Sequence, residues 1–312
     1  MKIGVQTGDV IKDFGIEEGY RMIKAAGFEC LDFNLDHALD AKTLGSGTYK
    51  GHSVIEGGVG AVIAQYAAEL DTIRRNGLEI TQMHAPFPSY VSGKPETLDY
   101  MIEIYKTSIE FCNVIGVKNL VIHGISLHVD DKIDTQDAVD ELNMKLYTSL
   151  IPTLRACNVT VCLENLFSWY TDKKGYKTLY SGHCANPYEA VAEIDMLNEV
   201  AGKECFGLCL DTGHLNLMKI PFKKYVQILG RRIKCLHVHD NDGTTDQHLA
   251  PYTGSVRWDD FCEALAEIGY DGDLSFETYK QTSVNTIDSD LVSPWLDLIA
   301  ATGRVFRNKI IK

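Results

Sequence analysis

At 312 residues, with 45% hydrophobic and 23% charged side chains, the chain has enough apolar material for a large core and the polarity of a soluble globular protein. Forty-three acidic against 30 basic residues give a net charge of −13, which argues against a broad polyanion-binding surface and so against nucleic acid as a partner. No apolar stretch reaches membrane-spanning length, the start MKIGVQTGDV has no signal-type apolar region, and nine cysteines without a CxxC pair suit buried thiols in a reducing compartment. A cytoplasmic protein with no membrane partner is expected.

The predicted elements alternate along the chain. KIGVQT (2–7) reads as a strand and leads to a helix from about Ile16. CLDFNL (30–35) is a second strand; after a loop, Val59, Val62, Ile63, Tyr66, Leu70 and Ile73 recur at helical spacing. LEITQMHA, from 78, precedes one helical face of Leu98, Ile102, Tyr105, Ile109 and Cys112. NLVIHG (119–124) precedes a helix through Leu142, Leu146 and Leu150. VTVCLEN (159–165) opens a long loop that closes at Asn186-Pro187. There Asn as cap, Pro at the first helical position and Glu189 three residues after the cap make a helix start. FGLCLD (206–211), IKCLHVHD (233–240) and DLSFET (273–278) complete eight strands.

Gly27, Gly77, Gly116 and Gly269 each close a helix and open into the next strand, as the left-handed helix ending requires. A strand–helix unit repeated eight times reads as α/β, a single (β/α)8 TIM barrel domain over residues 1–312, with no Pro-rich or Ser/Gly-rich linker dividing it. A doubly wound sheet would usually bring a Gly-rich phosphate loop. None is present: GSGTYKG (45–51) and EGGVG (56–60) lack a preceding strand.

The strand ends carry the chemistry. VCLEN, GLCLDTGH, KCLHVHD and DLSFET place Glu164, Asp211, His237 and Glu277 after short apolar runs, and two earlier runs end in His84 and His123. A parallel barrel gathers these ends around one mouth, where active sites of such barrels lie. A carboxylate aimed into the core costs several kcal/mol unless it is paired or bound to a metal. Cys162, Cys209 and Cys235, two residues earlier on the same strand faces, suit the packed interior one layer lower. Three carboxylates and one imidazole favour Mn²⁺, Mg²⁺, Co²⁺ or Zn²⁺ over a thiolate-type ion. His214, in DTGH, and Asp246 with His248, in DQH, stand as further candidates around them. His237 and His239 share a strand face and compete for one ligand role.

Other candidates stay open between two uses. Phe87 and Tyr90, and Trp169 and Tyr170, either cover a flat face of the substrate or pack the 166–186 loop. Lys173, Lys174 and Lys177 either meet a phosphate or solvate that loop. Arg257 is the best single contact for an anionic substrate group. His37, His52, His128 and His183 fall in loop-like segments and read as surface histidines.

HAPF (84–87), VIHG (121–124), LEN (163–165), LDTGH (210–214), HVHD (237–240), DQH (246–248) and FET (276–278), in this order, resemble the xylose isomerase-like barrel superfamily, which includes sugar isomerases and epimerases and the endonuclease IV enzymes. In the epimerase branch, the resemblance implies one divalent metal on Glu164, Asp211, His237 and Glu277, with Glu164 and Glu277 as the acid–base pair. It makes His237 the ligand and leaves His239 to substrate. In the endonuclease branch, it implies three zinc ions on those four residues together with His84, His123, His214, Asp246 and His248. Two features depart from that branch. PYTGSVRW (251–258) has one glycine where a G-x-G segment is common, and Thr278-Tyr279 follows Glu277 where a proline is common.

A small-molecule reaction follows. A sugar or sugar phosphate chelated through adjacent carbonyl and hydroxyl oxygens loses a carbon-bound proton to give an enediolate. Return of the proton to the same carbon gives epimerisation, and return to its neighbour gives isomerisation. The alternatives are a DNA-repair hydrolase with a multinuclear zinc site and a dehydratase of a polyol or keto acid. A sugar-binding sensor would need no acid–base pair. A homo-oligomer is compatible with all of them.

Overall fold

The computed structural model describes residues 1–35, 39–126 and 135–311; His37 and His128 lie outside them. Its strands are β1 (Ile3–Gln6), β2 (Cys30–Asn34), β3 (Glu79–His84), β4 (Asn119–Val121), β5 (Thr160–Glu164), β6 (Phe167–Thr171), β7 (Lys177–Ser181), β8 (Phe206–Asp211), β9 (Ile233–His237) and β10 (Leu274–Phe276). Eight of them form one parallel sheet in the order β10-β1-β2-β3-β4-β5-β8-β9. A bridge between Val238 and Phe276 joins its two ends. With a helix following most of these strands, this is the (β/α)8 TIM barrel architecture expected from the alternation. No helix among the described residues is long and apolar enough to cross a membrane. All nine cysteines are buried thiols.

The residues group into two compact units. One comprises Met1–Phe33, Tyr66–Gln82 and Cys209–Lys312. Its C-terminal helix, Ser289–Ile310, buries Val292, Leu296, Ile299 and Phe306, a helical stripe. Gly303 lets that helix approach the sheet, because a Cβ there would lie 2.6 Å from Ile3 Cγ2. Trp258 stacks on Phe306 with ring centroids 5.1 Å apart.

The second unit comprises Asn34–Gln65 and Met83–Leu208. Helix Pro95–Ile115 buries Leu98, Ile102, Tyr105, Ile109 and Cys112, all five residues of the expected face. Helix Gln136–Ala156 buries Leu146 and Leu150, while Leu142 is half-buried. Asn186 caps helix Pro187–Ala201 by accepting from Tyr188 N, and its amide donates to Glu189 at 2.8 Å.

Three expectations are revised. The 166–186 loop contains an antiparallel hairpin of β6 and β7, paired from Phe167↔Ser181 to Thr171↔Lys177. Its aromatic and β-branched residues favour strands. Its turn is closed by Asp172, whose Oδ1 accepts from Lys174 N and Tyr176 N. The first helix begins at Gly8, ahead of Ile16, and is kinked at Gly15 (φ 77°), which interrupts the apolar period. Finally, β4 ends at Val121 and β10 at Phe276, so His123 and Glu277 lie in irregular backbone two residues and one residue past their strands.

Candidate metal centre

Within the second unit, three ligand atoms converge. His84 Nε2 lies 3.0 Å from His123 Nε2, which lies 3.1 Å from Glu164 Oε2. His84 Nδ1 donates to Ala85 O at 2.7 Å, which turns the Nε2 lone pair toward the other two groups. Phe87 lies against both rings, with centroids 5.3 Å from His84 and 4.8 Å from His123, and is 53% exposed. Ser89 supports this corner by donating to His123 O and bonding to Tyr105 Oη.

Within the first unit, a larger cluster forms. Asp211 Oδ1 caps its own helix by accepting from His214 N at 2.7 Å, and Oδ2 lies 2.9 Å from His239 Nε2. Asp246 Oδ2 lies 3.0 Å from His248 Nε2 and 3.6 Å from His214 Nε2. His248 Nδ1 faces Glu277 O at 3.1 Å, and its ring stacks on His239 at 4.0 Å and on Tyr279 at 4.4 Å. His237 presents Nδ1 to Glu277 Oε2 at 3.6 Å and Nε2 to Asp32 Oδ2 at 3.0 Å. Both ring nitrogens are buried and neither makes a hydrogen bond among the described residues, so the ring stands between two carboxylates.

The protonation states follow from packing. Burial raises the cost of charge on Asp246, but its bonds to His214 and His248 outweigh this and hold the carboxyl well below the usual range. Burial likewise disfavours a charged His248; the Glu277 charge and the Asp246 bond prevail and lift it to about 9. Asp246 Oδ1 and His239 Nδ1 are buried and make no hydrogen bond among the described residues. Such atoms cost about 1–3 kcal/mol each unless something meets them. A divalent cation fits these donors: carboxylate oxygens and imidazole nitrogens, buried and facing one another.

Sequence-derived candidates fall into three groups. His84, His123 and Glu164 meet in one unit, and Asp211, His214, His237, Asp246, His248 and Glu277 in the other, with His239 buried among them and bonded to Asp211. Trp169 lies on the hairpin, 5.7 Å from Phe167 and 5.6 Å from the Lys177 ammonium. Arg257 is exposed and pairs with Asp260 at 3.0 Å. His52 is exposed, as expected. His183 corrects the surface reading, since its side chain is only 8% exposed and bonds to Glu193 at 2.8 Å.

Other residues act through their neighbours. Asp32 accepts from Gln82 at 2.8 Å while facing His237; an acid inside the apolar run CLDFN is the signal that marks it. Asp240 is fully buried and accepts from Asn241 N, Tyr252 N, Val256 N and Trp258 Nε1, so it holds the 252–258 segment. Gly254 is required there: a Cβ would lie 2.4 Å from both Asn241 O and Asp240 Oδ1.

The family model of the xylose isomerase-like TIM barrel matches residues 20–307, and the chain belongs to that family. An uncharacterised protein of Sinorhizobium fredii is 28% identical over 183 residues, 57% of this chain and 52% of that protein. An inosose isomerase of Bacillus velezensis is 25% identical over 201 residues, 60% of this chain and 64% of that enzyme. The chain thus spans less than two thirds of the length of these relatives. Among solved structures, D-psicose 3-epimerase with D-tagatose, from Clostridium cellulolyticum, superposes with a TM-score of 0.67 at 16% identity, over 98% of this chain and 99% of that one. That likeness is one of fold.

Proposed function

We propose that this chain is a divalent-metal-dependent isomerase or epimerase of a sugar or sugar phosphate, working as one barrel domain. The observation that carries the reading is the gathering of carboxylates and imidazoles at the C-terminal ends of parallel strands, in a family whose similar members include an inosose isomerase and a D-psicose 3-epimerase. Glu164, Asp211, His237 and Glu277 would hold Mn²⁺, Mg²⁺, Co²⁺ or Zn²⁺. His84, His123, His214, Asp246 and His248 would hold any further ion. When bound, the ion supplies Lewis acidity to a carbonyl beside a hydroxyl.

The protein's own groups move the proton. One of Glu164 and Glu277 takes it from the carbon beside the carbonyl, and the C–H electron pair passes to the carbonyl oxygen. The other returns a proton to the opposite face of that carbon in epimerisation. Delivery to the neighbouring carbon gives isomerisation. Phe87 offers an exposed apolar face beside two ligands and suits the face of a sugar ring. Trp169 would add to that cover from the hairpin, and His239 would act by holding Asp211 beside the substrate. Arg257 would meet an anionic group only by giving up Asp260.

The test uses D-psicose, D-tagatose and inosose in D₂O. Wild type should place deuterium at a carbon beside the carbonyl. Glu277→Gln keeps the size and one oxygen but cannot exchange the proton, so turnover should fall at least about 100-fold with the fold intact. Turnover without solvent deuterium at any carbon would remove the carboxylates from proton transfer.

One observation favours a second reading, an endonuclease IV-like hydrolase with several zinc ions: the separate ligand triads His84–His123–Glu164 and His239–Asp246–His248. The net charge of −13 weighs against it. Tight, steeply salt-dependent binding to abasic duplex DNA would reverse the preference.

A further inference from the structure

Beyond the strand-end ligands, the second unit holds another group of donors. His183 and Cys184 follow β7, and Glu193 lies on helix Pro187–Ala201. His183 Nε2 is 2.8 Å from Glu193 Oε2, while Cys184 Sγ lies 3.5 Å from His183 Nδ1 and 3.8 Å from Nε2. The backbone there is pinned, because His183 N donates to Ser126 Oγ at 2.9 Å and Leu166 N donates to His183 O at 2.8 Å. The ring is pinned too. It lies flat on Gly124, where a Cβ would come within 2.1 Å of Nδ1, and it stacks on Tyr147 at 5.8 Å.

Cys184 has φ 57°, in the left-handed region, where a side chain costs about 1 kcal/mol or more. Strain of this kind persists where the surroundings impose it, and it gathers at functional sites. The three side chains line a cleft of about 810 Å³, together with Asn143, Glu189 and Met196.

We propose that His183, Cys184 and Glu193 bind a thiophilic divalent cation, of the Zn²⁺ or Co²⁺ type, at a site separate from the strand-end ligands. One thiolate, one carboxylate and one neutral imidazole balance the charge of a dication. Their ligand atoms lie within 4.8 Å of one another. Zinc–nitrogen and zinc–oxygen bonds of about 2.0 Å and a zinc–sulfur bond of about 2.3 Å set donors roughly 3.3–3.6 Å apart, so the His183–Glu193 pair need open by only about half an ångström. The cleft leaves the fourth position to water or to an oxygen ligand, as in three-ligand zinc sites.

Without the ion, burial works against charge on His183, yet Cys184 and Glu193 drive its pKa well above the usual imidazole range. Burial pushes the Cys184 thiol up. Binding therefore displaces protons from both groups. A nucleophilic Cys–His pair is the poorer account, because Sγ is nearly equidistant from the two ring nitrogens and so lies off the lone-pair line of either. A proton relay needs that alignment.

The test titrates the chelator-stripped full chain with Co²⁺ and follows thiolate-to-cobalt charge transfer in the near ultraviolet. Wild type should develop the band. Cys184→Ser should lose the band and one bound ion per chain, whereas Cys112→Ser, whose thiol packs on Met83, keeps both. Glu193→Gln, which retains the thiol, should keep the band but require at least about tenfold more Co²⁺. Zn²⁺ should slow alkylation of Cys184 in wild type. No band in wild type, or a band and ion count unchanged in Cys184→Ser, would overturn the site. Rapid alkylation indifferent to Zn²⁺ would overturn it in favour of a reactive thiol.

Discussion

Gly213→Ala asks whether His239 is the post against which Asp211 rests. Gly213 lies in the first turn of helix Thr212–Leu217 with ordinary backbone angles, so alanine alone would gain about 0.5–1 kcal/mol there. The new Cβ, however, would sit 2.0 Å from His239 Cε1 and 2.4 Å from Nδ1. Ordinary contact begins at 3.4 Å, so the ring must retreat by 1.4 Å, the difference between 3.4 and 2.0. His239 is fully buried and stacked on His248, which leaves little room.

Retreat breaks the 2.9 Å bond to Asp211, a charge-assisted bond of about 1.5–3 kcal/mol. Overpacking adds about 1–3 kcal/mol. Set against the helix gain, the net loss is roughly 2–5 kcal/mol, measured by urea unfolding of metal-free protein, with metal affinity at least about tenfold weaker. Gly60→Ala is the control: it lies in helix Gly58–Arg75 with no atom near its Cβ, and should be neutral or slightly stabilising. A Gly213→Ala protein as stable as wild type, with unchanged metal affinity, would refute the packing of His239 on that glycine.

Asp211→Asn keeps the shape but removes the carboxylate charge, and should weaken metal binding at least about 100-fold by calorimetry or elemental analysis; unchanged metal content would take Asp211 out of the site. The unfolded protein should titrate close to nine thiols without reductant, and two or more disulfides would contradict both the buried-thiol reading and a reducing compartment. His248 has a folded pKa of about 9 against 6.5 unfolded, so its contribution to metal-free stability is full below pH 6.5 and lost as pH rises through 9. The loss, at most about 3 kcal/mol, should vanish in His248→Gln, and an equal pH dependence in that variant would exclude this residue as its source.

The barrel was legible because its evidence is local. Short apolar runs at regular intervals, helical spacing between them and glycines at Gly27 and Gly116, both with positive φ in the structure, each depend on a few neighbouring residues. The candidate ligands were found for the same reason: Glu164, Asp211 and His237 end their apolar strands. The β6–β7 hairpin was within reach too, since FSWYT and KTLYS flank a turn at Asp172 and Gly175.

Sequence could not pair residues that meet only after packing. Nothing near Asp32 points to His237, 205 positions away, and nothing in HCAN announces Glu193 or the Gly124 surface under His183. His239 shows the same limit. It lies two residues beyond the end of β9, and whether it met substrate or Asp211 depended on how the Thr212–Leu217 helix packs there. Local periodicity determines which way a side chain points; tertiary packing decides what it meets there.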